Sequence, residues 1–70
     1  MERVIEHIDR EISAYMEQKD LSQTEMAYLL NMTTNTLRSK RRGDSEWTWS
    51  ELNTMCELFG MTPNQLTGIS

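Results

Sequence analysis

Four times along this chain an apolar residue is followed at once by Ser or Thr, and five positions after the first comes a second apolar residue. The sites are Leu21-Ser22 with Met26, Met32-Thr33 with Leu37, Trp47-Thr48 with Leu52, and Met61-Thr62 with Leu66. Each puts a hydroxyl where it can accept from the free backbone N–H groups of a helix start, between the two halves of a hydrophobic staple. Three of the sites add Glu or Gln at the third helical position, Glu25, Glu51 and Gln65, which completes a capping box. The last also carries Pro63 at the first helical position, where a missing N–H costs nothing. The pattern fixes four helix starts, and little besides an all-helical fold accommodates them.

A fifth helix precedes these. Over about residues 2 to 19, Val4, Ile5, Ile8, Ile12, Tyr15 and Met16 recur at three- and four-residue steps, with Glu2, Glu6, Asp9, Glu11 and Glu17 mostly on the other side. This reads as a core-facing stripe under a solvated acidic face. Lys19-Asp20 ends the helix. The second runs from Ser22 with Met26, Ala27 and Leu30 on one face, and Asn31 closes it, since Asn tolerates the left-handed conformation of a helix stop. The third extends from Thr33 through Leu37 to about Arg42, and Gly43 ends it. It carries one apolar side chain, Leu37, so most of its surface faces water or a polar partner. After the turn Gly43-Asp44-Ser45-Glu46, the fourth runs from Trp49 to Phe59 with Leu52, Met55, Cys56 and Phe59 inward and Leu58 beside them. Gly60 stops it. The fifth is short, Pro63 to about Thr67.

Seventy residues set the scale of one domain, 1–70, near the lower limit for a core without staples. A composition 37% hydrophobic and 26% charged is that of a soluble chain, with no apolar run of membrane-spanning length and no signal peptide. One cysteine excludes an internal disulfide and fits a reducing cytoplasm. Cys56 reads as a buried thiol without a redox or metal role, and His7 as an exposed lone histidine. Trp47 and Trp49 flank a cap and read as packing residues, one ring partly exposed, rather than as base-stacking platforms. No nucleophile has a base within reach and no phosphate loop or paired His or Cys appears, so an enzyme with a small-molecule substrate is not expected, nor a metal or cofactor.

The net charge of −4 argues against a polyanionic partner only as an average. Residues 38 to 42 hold four of the seven basic side chains, Arg38, Lys40, Arg41 and Arg42, and no acid. The rest holds three bases against eleven acids, a balance of −8. Local field decides where a polyanion lands. Thr34, Asn35 and Arg38 lie at i, i+1 and i+4 and share one face at the start of the third helix. Ser39 borders that face.

The stretch from Ser22 to Gly43 resembles the Cro/repressor type of helix-turn-helix domain. Gln23 and Ala27 sit where that family has its Gln and its small packing Ala, Met32-Thr33 matches its apolar-Ser/Thr turn, Leu37 its buried aliphatic, and Gly43 its Gly after the recognition helix. The run Trp47 to Leu52 is similar to that of a phage and prophage repressor subgroup with an aromatic-Thr-apolar sequence there. The match covers roughly residues 20 to 67. It departs twice: Asn31 replaces the usual turn Gly, and Lys40 stands where many members have an aliphatic. Lys40 either leaves the inner side of the recognition helix weakly anchored or packs its stem while the amine reaches out.

The resemblance implies a five-helix, lambda-repressor-like bundle with the helix-turn-helix at helices two and three, and a Cro- or repressor-like transcriptional regulator of double-stranded DNA in the cytoplasm. The start of helix three would enter the major groove. Arg38 can pair with guanine, Asn35 with adenine, and Thr34 with a thymine methyl or a base acceptor. Gln23 matches the family's backbone-contacting Gln and could also brace helix three. Thr33 and Arg42 match positions near phosphates, and Lys40 and Arg41 would add attraction independent of sequence. Family members usually bind near-palindromic operators as symmetric dimers, which implies a homodimer here. Helix five with Trp47 and Trp49 nearby is the better candidate for its surface. The rival class is a protein-binding helix-turn-helix module, of adapter, antirepressor or antitoxin type, whose acidic face docks another regulator.

Overall fold

The same stop and the same start recur at each bend of the chain. The computed structural model describes residues 3–68, and among these every regular element is an α-helix: α1 (Val4–Lys19), α2 (Gln23–Leu29), α3 (Thr34–Arg42), α4 (Trp49–Phe59) and α5 (Pro63–Thr67). The expected beginning of the first helix at residue 2 lies outside the described residues. The other bounds match the expectation, with α2 closing through Leu30 into Asn31.

All four hydroxyl caps form. Ser22, Thr33, Thr48 and Thr62 each accept from the backbone N–H three residues on. Glu25, Glu51 and Gln65 return the bond to the cap's own N–H at 2.8–2.9 Å. At α3 the third position is Thr36, and Thr33 Oγ1 donates to its hydroxyl at 2.9 Å. The stops are as regular. Asp20, Asn31, Gly43 and Gly60 have positive φ, and in each case the next residue's N–H reaches back to a carbonyl of the last turn. At α2, Met32 N donates to Ala27 O at 2.9 Å and Asn31 N to Tyr28 O at 3.1 Å, the paired bonds of a Schellman stop. Asn31, with φ 59°, does the work of the glycine it replaces. Leu21, Met32 and Met61 each close one helix and begin the staple of the next, and all three pack on the core. At three of the four bends one apolar side chain therefore joins the end of one helix to the start of the next; at the α3–α4 bend Asp44 closes α3 and Trp47 begins the next staple.

The core is one cluster: Ile8 and Ile12 of α1, Met26, Ala27 and Leu30 at α2, Leu37 of α3, Met55 of α4 and Leu66 of α5. Trp47, Leu52, Cys56 and Phe59 pack against it partly buried, and Tyr15 meets Phe59 with ring centroids 4.6 Å apart. Val4 belongs to the sequence stripe but lies exposed at the start of α1. His7 is less free than expected. It is half-buried, its Nε2 sits 3.2 Å from the Gln65 carbonyl, and its ring fills the space a side chain at Gly68 would need. α1 thus closes against α5 as well as α3, which holds α3 on the surface with Leu37 as its one apolar anchor.

The start of α4 offers a direct check. Thr48→Ala removes a formed N-cap and should cost about 1 kcal/mol of unfolding free energy. Trp47→Ala should cost more, because it also removes a large packed apolar surface. Unchanged melting temperatures in both variants would contradict this account of the bend.

Candidate nucleic-acid interface

Capping by Thr33 leaves the first turn of α3 with its outward side chains in solvent. Asn35 and Arg38 are exposed, and neither has a hydrogen-bond or ion-pair partner among the described residues. Thr34 is half-buried and donates to Thr24 Oγ1 at 3.4 Å, which links the first turns of α2 and α3. Thr33 is exposed, with its hydroxyl engaged by Thr36. Gln23 opens α2 beside them. With Arg38, Arg41, Arg42 and Asp9 it lines a shallow cleft of about 270 Å³, and its buried Oε1 has no hydrogen-bond partner among the described residues. Ser39 is half-buried and accepts from Ser45 Oγ at 3.4 Å. The structure therefore gathers Gln23, Arg38, Arg41 and Arg42 around one cleft and sets Thr33, Thr34 and Asn35 at the helix start that leads to it.

Two of the nine candidate residues sit differently from the expectation. Lys40 is 7% exposed. Its stem packs as one expected alternative had it, but the amine does not reach out. Nζ donates to the Glu46 carbonyl at 3.0 Å and to Glu51 Oε1 at 2.6 Å, and lies 5.7 Å from the centre of the Trp47 ring. The physical reason is the neighbouring helix start. Glu51 already faces inward to cap Thr48 N, and its carboxylate gives a buried ammonium the charged partner that burial demands. Nor is the inner side of α3 weakly anchored, since this pair ties it to α4. Arg41 folds back onto α1. Its Nε pairs with Asp9, Nη2 donates to Ser13 Oγ at 2.7 Å, and Nη1 reaches Met16 Sδ at 3.6 Å. Neither cation is offered to a phosphate in the way a free surface base would be. Arg42 stays exposed, with Nε 3.0 Å from Asp44 Oδ2.

Residues that the sequence pattern did not mark for the site therefore shape it: Asp9, Ser13 and Asp44 for the arginines, Glu46 and Glu51 for the lysine. Glu51 carried a visible signal, but only as a cap. Burial pushes its carboxyl up. The hydrogen bonds from Lys40 and from Thr48 outweigh that push and hold it below the usual glutamate range. Glu25, fully in solvent, is also held low, by the Ser22 backbone N–H and then by its hydroxyl.

Among the described residues no group of three or more His, Cys, Asp and Glu is arranged to hold a metal ion, and no helix is long and apolar enough to cross a membrane. The exposed aromatics are Tyr28, 80% exposed over an apolar groove with Leu21 and Leu29, and Trp49, 66% exposed at the start of α4. A family model described as the Cro/C1-type HTH DNA-binding domain matches residues 11–70. No curated protein and no solved structure matches the chain.

The Lys40–Glu51 pair predicts an asymmetric response. Glu51→Gln keeps a capping oxygen but leaves a buried ammonium facing a neutral amide, and should cost about 1–3 kcal/mol. Lys40→Met leaves the Glu51 carboxylate without its cation, but still bonded to Thr48 N and the more exposed of the two partners, so it should cost less than Glu51→Gln. Glu51→Gln should in turn cost less in that background, where both charges are gone. Because the folded carboxyl is held low, its contribution is complete at neutral pH. It is lost as the pH falls below the ordinary glutamate range toward Glu51's lower value. Denaturant melts of the three variants and the wild type, at neutral and acid pH, check this. Equal destabilisation by Lys40→Met and Glu51→Gln would contradict it.

Proposed function

The chain belongs to the Cro/C1-type helix-turn-helix DNA-binding family, and from that premise we propose that it is a sequence-specific transcriptional regulator, Cro- or repressor-like, that reads operator DNA in the major groove with the first turn of α3. The observation that carries the reading is the pair Asn35 and Arg38. They stand about one helical turn apart on an exposed surface, and no carboxylate or carbonyl among the described residues competes for them. Bidentate amide and guanidinium groups suit the edges of adenine and guanine. Thr34 borders the same edge. Gln23, Thr33 and Arg42 are the proposed phosphate-side contacts, and Ser39 lies beside them. Lys40 and Arg41 act from within, by holding α3 against α4 and α1.

One short helix reads few base pairs, so the regulator acts as a homodimer on a near-palindromic site. The exposed Trp49 ring next to the partly buried Trp47 supports a dimer surface near the α4 start and α5. The proposed setting is the cytoplasm and a phage or prophage control circuit, and residues 1–70 are proposed to work as a single DNA-binding domain. No catalysis, cofactor or small-molecule substrate enters the mechanism.

The test is selective loss. A preferred duplex is first selected from a random pool. Asn35→Ala and Arg38→Ala should each cost about 1–3 kcal/mol on that duplex and much less on a scrambled one, where phosphate contacts dominate. Both melts should match the wild type, because neither side chain belongs to the core. Equal losses on both duplexes would reduce the two residues to phosphate contacts. No binding of the wild type to any duplex at low salt would favour the protein-docking module instead.

A further inference from the structure

A helix that carries four bases within five residues would ordinarily hold any DNA strongly and without regard to sequence. In this fold three of the four meet a carboxylate. Lys40 is taken by Glu51 and is buried. Arg41 is taken by Asp9 at the edge of the cleft. Arg42 is taken by Asp44, two residues on, with the two side chains 64% and 61% exposed. Only Arg38 has none among the described residues. The three partners come from α1, from α4 and from the turn after α3, so the neutralisation is assembled by the fold and does not follow from composition.

We propose that Asp44, with Asp9 behind it, screens the arginines of the recognition helix and so lowers the protein's grip on DNA of arbitrary sequence, leaving discrimination to Asn35 and Arg38. The argument rests on the DNA-binding reading above. A phosphate that approaches Arg42 must displace the Asp44 carboxylate and then lie beside it. The Debye length at physiological salt is about 8 Å, well beyond the 3.0 Å that separates Arg42 from Asp44, so salt does not hide that carboxylate from the phosphate. Such a pair does little for stability, since both groups are in water. Its effect is on the field that DNA meets. Specific binding suffers less from the same charge, because base contacts contribute to it and are absent on random sequence. Asp44 is on this view a specificity-determining residue that touches no base.

The decisive variant is Asp44→Asn, which keeps size and an acceptor for Arg42 while removing the charge. The Asp44 backbone N–H, which donates to Ser39 O at 2.9 Å in the stop of α3, is unaffected. Glu57→Gln on α4 changes the net charge equally and serves as control. Binding to random and to selected duplex is measured by anisotropy across a salt series, with a melt of each protein. Asp44→Asn should bind random duplex several-fold more tightly at low salt. Its salt slope should steepen by up to about 0.9 units, the value of one further neutralised phosphate. The ratio of selected to random affinity should fall. Glu57→Gln should change neither slope nor ratio. If the wild type binds DNA and Asp44→Asn leaves slope and ratio unchanged, or Glu57→Gln changes them as much, screening by Asp44 is overturned while the DNA-binding reading stands. If no protein of the series binds any duplex at low salt, both are overturned.

Discussion

One oxygen, Oε1 of Glu51, holds α3 to the helix that follows it. It accepts from Thr48 N at 2.8 Å and so starts α4, and from Lys40 Nζ at 2.6 Å and so anchors the inner side of α3. α3 has a single buried apolar residue, Leu37, which alone leaves a nine-residue helix free to roll about its axis. The charged pair supplies a second fixed point one turn later, and Arg41 on α1 supplies a third. Three anchors facing three other parts of the molecule determine which residues of α3 point outward. The outward set, Asn35, Arg38 and Arg42, is thus a consequence of where Lys40 and Arg41 are held.

This arrangement reverses the ordinary use of a basic run. Bases in a recognition helix are usually read as attraction for phosphate. Here two of the four, Lys40 and Arg41, set geometry, and Arg38 and Arg42 remain exposed. A chain of net charge −4 can work on DNA under those conditions if binding depends on base edges more than on the summed field. The acidic composition and the DNA-binding family are then compatible.

What the sequence made legible was whatever is decided within five residues. Caps, staples and stops are local: Thr48 finds Glu51 three positions on, and Asn31 adopts its left-handed turn for reasons of its own side chain. Helix bounds followed from them almost residue by residue. The pairings that set the site are not local. Arg41 meets Asp9 across 32 positions, Lys40 meets Glu51 across 11, and His7 meets the Gln65 carbonyl across 58. No periodicity marks such partners, because any of the eleven acids could in principle have faced any base. Lys40 stood out as a departure from an aliphatic position, but its direction depended on a carboxylate whose capping role alone was visible. The exposure of Tyr28 is unmarked in the sequence for the converse reason. An exposed aromatic beside a helical stripe follows the same spacing as a buried one, and only the packing of Leu21 and Leu29 around it reveals an apolar groove.

The central claim is that the first turn of α3 is the surface that meets DNA. The most direct measurement is a backbone amide NMR titration of the protein with a selected duplex. The account predicts that the largest shifts fall on Gln23 and on Thr33 through Arg38, with Tyr28 and the acidic residues of α1 little changed. Shifts centred on the groove at Leu21, Tyr28 and Leu29, with the first turn of α3 unmoved, would contradict it.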